Sequence, residues 1–338
     1  DEHRCTRIRE RINHEGTKTQ MGRKRKFLTA FVSLWLSVCI CVHLRFDLRM
    51  KAKSDMYGRE LQVALALARD AGAMILQYYD VPLHIERKID ADNHQEPVTQ
   101  ADKAANTLIV GVLQREFPDD GILAEESVDT VRRLGKRRVW MVDPLDGTNG
   151  FIARDGDFAV QIGLAVDGRS VLGVVYQPLP DVLYYAVEGA GTWIERKGFE
   201  VERARVSDKT EIRRVRLAAS RNHRSPRMDV VVRALGIEEE VQRGSVGIKV
   251  GLIIEQQCDV YIHLSPRTKQ WDTCAPEVIL REAGGRMTDL FGGPLGYNQP
   301  DVQNRNGLVA SNGAIHEYII EKLAPLLKEF ERKRIDVR

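Results

Sequence analysis

Apolar residues recur at helical spacing in two segments of the chain. The segment Arg59–Tyr79, RELQVALALARDAGAMILQYY, carries its apolar side chains on one helical face and contains a tolerated glycine. The segment 98–117, VTQADKAANTLIVGVLQREF, predicts a second helix with Thr99 near its start. The polar stretch Asp90–Gln95 between them predicts a mobile loop.

Shorter apolar runs follow the second helix and predict β-strands. GILAEES predicts a short buried strand that runs into two glutamates, and RRVWMV predicts another that ends just before Asp143. FAVQIGLAV, SVLGVVYQP and VLYYAVEG alternate like neighbouring strands of a sheet, joined by the turns DGRS and PLPD. This middle part of the chain therefore predicts a sheet.

The pattern changes after about residue 205, where strands and helices alternate. RRVRLAAS and DVYIH predict strands, and Met228–Ile237 predicts a helix. Val246–Ile254 is predicted as a core strand, and Pro276–Ala283 as a core helix that Gly284 and Gly285 close. The predicted class is α/β, with an α+β half over residues 56–205 and an α/β half over residues 206–338.

Residues 1–55 form a basic extension with a candidate membrane anchor. The cluster Arg23–Lys26 precedes an apolar run of 18 residues, Phe27–Leu44, which is close to the ~20 that cross a bilayer. No small-residue cleavage site is clear, so an anchor with a cytoplasmic N-terminus fits better than a cleaved signal. Alternatively, residues 1–55 are upstream sequence, because the chain begins at Asp1 and Met56 opens an ordinary helix. We predict a cytoplasmic protein, with membrane anchoring through residues 27–44 as the alternative.

Charge and cysteine content exclude several classes of protein. The formal net charge is +3, but residues 1–55 carry 13 Lys and Arg against 6 Asp and Glu, which leaves −4 on the remainder. A mildly acidic body without a basic stripe does not favour nucleic-acid binding. The five cysteines show no paired ligand spacing, so neither a disulfide framework nor a zinc site is predicted.

Four carboxylates, Glu125, Asp143, Asp146 and Asp272, each lie just past an apolar segment. Gathered at low dielectric they would repel one another unless a cation neutralised them. Hard oxygen ligands suit Mg²⁺ better than zinc. In the stretch DPLDGT, the proline fixes a turn that lets the two aspartates and the Leu145 carbonyl face one point. Gly147 permits close approach, and a helix that begins at Thr148 would offer N–H groups to a phosphate.

Each of these motifs also has a simpler interpretation. Asp-Pro-x-Asp-Gly alone is most often a surface turn, and Glu-Glu after a strand is most often a solvated end. Trp271-Asp272 alone could be a helix cap beside a core indole. Only the occurrence of all of them in this order favours a metal-dependent phosphoryl hydrolase.

Four motifs, EPVTQAD, ILAEES, WMVDPLDGTNGF and WDTCAPEVILREAGG, carry a family resemblance. From about Met56 to its end the chain resembles the lithium-sensitive, magnesium-dependent phosphatase superfamily. That superfamily includes inositol monophosphatase, fructose-1,6-bisphosphatase and the 3'(2'),5'-bisphosphate nucleotidases. Many relatives have Gly-Glu-Glu where this chain has Ala-Glu-Glu. The resemblance implies a layered α-β-α-β-α sandwich, a hydrolase and inhibition by Li⁺.

The resemblance also implies a role for each matching residue. Two or three Mg²⁺ ions would be bound, the first by Glu125, Asp143 and the Leu145 carbonyl. Asp143, Asp146 and Asp272 would bind the second, and Glu125 would help to hold a weaker third. Asp102 and Thr148 would orient and deprotonate the attacking water. The N–H groups of Gly147 and Thr148 would bind the scissile phosphate.

Segments of the C-terminal half resemble the nucleotidase branch (CysQ-type). In AASRNH and GSVGIKVGLI, the residues Ser220, His223, Ser245 and Lys249 would line a nucleotide pocket, and Arg267 and Lys269 could meet a second phosphate. Inositol phosphatases commonly carry a glutamate six residues before the tryptophan, where this chain has Ser265.

The substrate implied is therefore a small nucleotide, 3'-phosphoadenosine 5'-phosphate, from which AMP would be released. Each substrate contact also has a simpler interpretation. Lys249 could only cover a strand edge, and His223 could be an ordinary surface histidine. Arg267 and Lys269 could be solvated loop charges. An inositol or sugar phosphatase of the same fold is the alternative enzyme, and a catalytically silent binding protein ranks lowest. Relatives in the superfamily occur as monomers and homodimers, and both states stay open for this chain.

Overall fold

The computed structural model describes residues 56–89, 95–221 and 224–336. The candidate anchor Phe27–Leu44, the candidate substrate contact His223 and all but Gln95 of the predicted loop Asp90–Gln95 lie outside the described residues. Gln95 begins a strand. Within the part of the chain that the structure describes, no helix is both long and apolar enough to cross a membrane.

The described residues form seven α-helices and fourteen β-strands. The helices are α1 Gly58–Leu76, α2 Gln100–Glu116, α3 Thr148–Ala153, α4 Pro226–Leu235, α5 Val246–Ile254, α6 Gln270–Glu282 and α7 His316–Glu329, with 3₁₀ turns at Arg132–Gly135 and Ile212–Arg214. The strands are β1 Ile85–Ile89, β2 Gln95–Thr99, β3 Gly121–Ala124, β4 Arg138–Asp146, β5 Ala159–Val166, β6 Arg169–Gln177, β7 Val182–Val187, β8 Gly191–Arg196, β9 Glu202–Ala204, β10 Arg216–Ser220, β11 Glu239–Arg243, β12 Val260–His263, β13 Arg286–Thr288 and β14 Leu308–Ser311.

Three sheets contain these strands. A seven-stranded sheet runs in chain order from β3 to β9, with β3 parallel to β4 and the remaining pairs antiparallel. A five-stranded sheet has the order β11-β10-β12-β14-β13, in which β10 is parallel to both of its neighbours. The hairpin of β1 and β2 forms a separate two-stranded sheet.

Apolar burial stacks these elements into five layers. Helices α1 and α2 bury residues such as Ala68 and Ile109 against the outer face of the seven-stranded sheet. Helices α5 and α6 lie between the two large sheets, and α4 and α7 cover the far face of the five-stranded sheet. Burial of these apolar faces is the main stabilising contribution to such an arrangement. The predicted α-β-α-β-α sandwich is confirmed.

Two glycines let α6 approach the seven-stranded sheet closely. Gly163 of β5 and Gly173 of β6 lie opposite each other in the sheet register. A Cβ at Gly163 would lie 2.8 Å from the Cys274 sulfur, and a Cβ at Gly173 would overlap the carbonyl oxygen of Ala275. The close packing fixes the first turns of α6, which carry Asp272.

The prediction of a strand over Val246–Ile254 was wrong, because this segment is helix α5. Every one of its residues is buried, so no polar face marks a helical period, and its β-branched side chains favoured a strand. Ser245 caps the start of the helix, because its side-chain oxygen accepts a hydrogen bond from the N–H of Ile248 at 3.1 Å. Lys249 therefore lies in a buried helix rather than at a strand edge.

Two element boundaries in the structure also differ from the predicted ones. Strand β4 was expected to end before Asp143, but it continues to Asp146. Its pairing with β5 shifts between Asp143 and Asp146, so the proline between them lies at an irregularity where a strand tolerates it. The segment that opens with Trp271 was expected to begin as a loop, but α6 already begins at Gln270.

Candidate active site

Asp102 and Thr148 come from different elements and are joined by a hydrogen bond. Thr148 opens α3, and its hydroxyl lies 3.1 Å from Asp102 Oδ1 and 3.3 Å from the carbonyl oxygen of Leu145. Asp102 lies in the first turn of α2, where its Oδ2 accepts hydrogen bonds from the N–H and the hydroxyl of Thr99 at 2.8 and 2.5 Å. Burial raises the pKa of Asp102 to about 6. The structure thus brings together the two residues predicted to act on water.

Three aspartates form an electrostatically strained group beside this pair. Asp143 and Asp146 are 2% and 8% exposed, and Asp272 lies in the first turn of α6, where its Oδ2 accepts the N–H of Lys269 at 2.8 Å. Burial, together with the charges of the neighbouring carboxylates, raises the pKa of Asp143 and of Asp272 well above the usual range. Bringing all three into the ionised form therefore requires a compensating positive charge.

Lys88 supplies positive charge to Glu125, a contact that the sequence patterns did not indicate. Its ammonium lies 2.5 Å from a carboxylate oxygen of Glu125 and 2.5 Å from one of Glu126. Although burial disfavours ionisation of Glu125, the charge of Lys88 holds its pKa below the ordinary value. Burial and the charge of Glu125 raise the pKa of Glu126 to about 7. The β1–β2 hairpin thereby contacts the acidic group.

Asp146 is held by a hydrogen-bond network that includes Ser245. The Ser245 hydroxyl and the Gly247 N–H donate to Asp146 Oδ2 at 2.5 and 3.0 Å, and the side-chain amide of Gln161 donates to the same oxygen. Burial raises the pKa of Asp146, and the hydrogen bonds from Ser245 and Gly247 and the charge of Lys249 oppose that shift. Ser245 thus contacts a predicted metal ligand, whereas its expected position was against the substrate. Gln161 is fully buried in β5, and its place in the sequence pattern gave no signal of this contact.

Lys249 and Tyr261 form the floor of the site. Lys249 is 1% exposed. Its ammonium donates to the carbonyl of Gly244 at 2.9 Å and lies 4.7 Å from the centre of the Tyr261 ring. Burial lowers the pKa of Lys249 to about 8. The Tyr261 hydroxyl is buried and has no hydrogen-bond partner among the described residues. Tyr261 and His263 alternate along β12 and both line the cavity, so the period-two pattern of DVYIH was the signal for them.

The two remaining predicted cations differ in their environment. Lys269 is 7% exposed, and its ammonium lies 2.8 Å from a carboxylate oxygen of Glu96. Arg267 is exposed at the rim. Lys269 is therefore already neutralised within the protein, whereas Arg267 faces solvent.

A cavity of about 160 Å³ unites most of these residues. Asp102 and Ser245 lie behind its wall, because each is almost fully buried and directed at another site residue. The predicted residues that line it are Glu125, Asp143, Leu145, Asp146, Gly147, Thr148, Ser220, Lys249, Arg267, Lys269 and Asp272.

The donor set fits a hard divalent cation. Glu125, Asp143, Leu145, Asp146 and Asp272 line one cavity, and four carboxylates with a nearby backbone carbonyl are the oxygen ligands that such a cation prefers. Burial and the neighbouring carboxylates raise the pKa of Asp143 and of Asp272, and a bound cation would oppose that shift. As these side chains stand, no three His, Cys, Asp or Glu in the described ranges are grouped closely enough to hold a metal. Protein donors occupy some of the acidic oxygens, with Lys88 on Glu125 and Ser245 on Asp146. Binding of one ion by several of these carboxylates would therefore require some of them to reorient.

Comparison with known proteins identifies the family. The sequence profile described as Inositol monophosphatase family matches residues 58–328, more than half of the chain. The chain belongs to the inositol monophosphatase family. It is a phosphatase of this family, and the resemblance given by its four motifs is confirmed.

The chain is also similar to individual proteins of known sequence or structure. The chain is 38% identical over 243 residues to the 3'(2'),5'-bisphosphate nucleotidase CysQ of Salmonella typhimurium, a match covering 70% of this chain and 93% of that protein. The structure resembles CysQ from Bacteroides thetaiotaomicron with a TM-score of 0.64 and 33% identity, over 75% of this chain and 97% of that one. It also shares its fold with an inositol monophosphatase from Thermotoga maritima, with a TM-score of 0.68 and 24% identity over 80% and 99% of the two chains.

Proposed function

We propose that this phosphatase removes the 3'-phosphate of 3'-phosphoadenosine 5'-phosphate and releases AMP. The observation that carries the proposal is the 38% identity to a 3'(2'),5'-bisphosphate nucleotidase over nearly the whole of that protein. The cavity supports it, because Lys249 and Arg267 add positive charge beside the acidic group. A substrate with a second anionic group would use that charge.

The acidic group is the proposed site of Mg²⁺, on which enzymes of this family generally depend. Glu125, Asp143, Asp146, Asp272 and the Leu145 carbonyl would hold two or three ions. Bound there, Mg²⁺ would supply the positive charge that lowers the pKa of the attacking water and stabilises the leaving alkoxide.

The chain's own residues would position the water and the phosphate. With its proton directed at Asp102 Oδ1, the Thr148 hydroxyl oxygen can accept a hydrogen bond from the attacking water. The water proton would pass to Thr148 as the Thr148 proton passes to Asp102, whose raised pKa makes it a better base. The N–H groups of Gly147 and Thr148 would bind the phosphate. Gly147 has a positive φ of 98°, and a Cβ there would lie 2.5 Å from the Asp157 carbonyl oxygen, so the turn requires glycine.

The experiment is a comparison of substrates at saturating Mg²⁺. We expect kcat/KM for 3'-phosphoadenosine 5'-phosphate to exceed that for inositol 1-phosphate and fructose 1,6-bisphosphate by at least about a hundredfold. A preference for inositol 1-phosphate or the sugar phosphate would support the phosphatase activity but contradict the proposed nucleotide substrate. If no phosphate is released from any of the three compounds, the result would favour a catalytically silent binding protein of this fold.

A further inference from the structure

Asp157 is a buried carboxylate that takes no part in the proposed reaction. It is 3% exposed and lies just before β5, whose first residue, Ala159, pairs with Asp146 in the sheet register. Its carbonyl oxygen lies against the turn that begins α3, because a Cβ at Gly147 or at Gly150 would lie 2.5 Å from it. The main chain of Asp157 is therefore fixed relative to both Asp146 and the start of α3.

The Asp157 side chain contacts the segment that precedes α5. Its Oδ2 accepts a hydrogen bond from the N–H of Gly244 at 2.6 Å. Gly244 lines the catalytic cavity, and its carbonyl oxygen accepts a hydrogen bond from the Lys249 ammonium at 2.9 Å. The next residue, Ser245, donates to Asp146. Gly244 is thus held at its N–H and at its carbonyl, directly before the residue that contacts a proposed metal ligand.

Arg221 also contacts the Asp157 carboxylate. Its guanidinium lies 3.2 Å from Asp157 Oδ2 and forms a second ion pair with Asp155, whose Oδ1 accepts the Asp157 N–H at 2.9 Å. Burial raises the pKa of Asp157, and the Gly244 hydrogen bond and the charge of Arg221 oppose that shift. The carboxylate that holds Gly244 is therefore itself oriented by a charge-assisted contact.

Stability alone does not explain a carboxylate at this position. Asp157 Oδ1 is buried and has no hydrogen-bond partner within the part of the chain that the structure describes, and such an atom lowers the stability of a folded protein. Asp259, which is also buried, has partners at both of its oxygens. The contact with Gly244 gives a reason for a carboxylate at Asp157, since it fixes a segment of the catalytic site.

We propose that Asp157 is a positioning residue, which holds Gly244 so that the Ser245 hydroxyl stays on Asp146. Asp157 does not line the catalytic cavity, so it acts through Gly244 and Ser245 and contacts neither metal nor substrate. This role rests on the proposed assignment of Asp146 as a Mg²⁺ ligand, and it does not depend on which phosphate ester is the substrate.

The kinetic test measures the Mg²⁺ concentration for half-maximal activity, with the phosphate ester that the wild type hydrolyses fastest. Asp157→Ala removes the acceptor for the Gly244 N–H, and we expect this concentration to rise by about tenfold to a hundredfold, as for other groups that orient a metal ligand. Asp157→Asn keeps an oxygen that can accept the N–H and should restore most of the Mg²⁺ affinity. Asp120→Ala is the control, because Asp120 pairs with Arg138 at the opposite end of β4 from Asp146, and it should leave the Mg²⁺ requirement unchanged.

In a wild type that requires Mg²⁺, an unchanged requirement in Asp157→Ala would overturn the positioning role. Equal rises in Asp157→Ala and Asp157→Asn would also overturn it, because the hydrogen bond from Gly244 would then not be their cause. A similar rise in Asp120→Ala would do the same, since it would show that general destabilisation produces the effect.

Amide hydrogen exchange tests the positioning separately from the reaction. In the metal-free protein the Gly247 N–H donates to Asp146 Oδ2, so its exchange reports on the contact that Asp157 is proposed to maintain. Asp157→Ala should accelerate exchange at both Gly244 and Gly247 by at least about tenfold, whereas Asp120→Ala should not. That result would support the positioning role even if phosphate release needs no Mg²⁺, in which case only the proposed metal assignment fails. Faster exchange at Gly244 alone, or at neither glycine, would overturn the role, because the loss would not reach Asp146.

Discussion

The hydroxyl of Ser245 donates a hydrogen bond to Asp146 Oδ2 at 2.5 Å. The same oxygen of Ser245 accepts the Ile248 N–H and so begins helix α5. One side chain therefore fixes both the start of a buried helix and the orientation of a proposed metal ligand. This gives Ser245 a role in positioning the ligand, whereas the sequence suggested contact with the substrate.

The variant Ser245→Ala should weaken Mg²⁺ binding more than substrate binding. Loss of a group that orients a metal ligand typically costs about tenfold to a hundredfold in metal affinity, so the Mg²⁺ concentration for half-maximal activity should rise by that factor. KM for the nucleotide at saturating Mg²⁺ should change less than about twofold. Ser225→Ala is the matched control, because Ser225 caps α4 in the same way without touching an acidic site residue. An unchanged Mg²⁺ requirement with a raised KM would instead place Ser245 against the substrate.

Two replacements of Thr148 should distinguish the contribution of its hydroxyl group to catalysis from that of its side-chain shape. Thr148→Val keeps the shape and removes the hydrogen bond to Asp102, and we expect kcat to fall by about a hundredfold or more. Thr148→Ser keeps the hydroxyl and should retain most of kcat. Steady-state kinetics with intact far-UV circular dichroism provide the measurement. Equal activity of the valine and serine variants would exclude the hydroxyl from proton transfer.

The close approach of α6 to the sheet should tolerate no side chain at Gly173. A Cβ there would overlap the Ala275 carbonyl oxygen, so Gly173→Ala should lower the free energy of unfolding by about 1–3 kcal/mol. It should also lower activity, because α6 carries Asp272. Gly111→Ala is the control: Gly111 is exposed in α2 with nothing near its Cβ position. That substitution should be neutral or stabilise by up to about 1 kcal/mol. Urea unfolding measures both, and similar effects of the two variants would contradict the packing.

His316 should make the fold less stable in acid. Its side chain is fully buried between Thr288 and Ser311, and burial lowers its pKa to about 4. The unfolded chain takes up the proton first, near pH 6.5. The contribution of His316 to stability is therefore complete above that pH and is lost as the pH falls towards 4, by about 3 kcal/mol in total. Urea unfolding of the wild type and of His316→Gln at pH 7 and 4.5 should show a smaller acid loss in the variant. Equal losses of unfolding free energy in the two proteins would mean that His316 is not held in a neutral, buried state.

Much of the site was predictable because its residues follow strand ends and helix starts in a specific order. The aspartates of β4, Thr148 at the start of α3 and Asp102 beside Thr99 were all named from their motifs, and the structure brings them together. The helix Val246–Ile254 was not predictable, since a fully buried apolar segment carries no amphipathic period. Gln161 and Lys88 were missed because their contacts with acidic site residues are set by strand pairing and packing between distant segments.

The most direct test is phosphate release from 3'-phosphoadenosine 5'-phosphate by the wild-type chain and by Asp146→Asn, with and without Mg²⁺. Asparagine keeps the shape of the side chain and an oxygen for the Ser245 hydrogen bond but removes the charge proposed to bind metal. We expect Mg²⁺-dependent release of one phosphate with AMP as product, and a loss on the order of a thousandfold or more in Asp146→Asn with the fold intact. Release that needs no divalent cation, or that survives the substitution, would contradict the assignment of the carboxylates to catalytic metal.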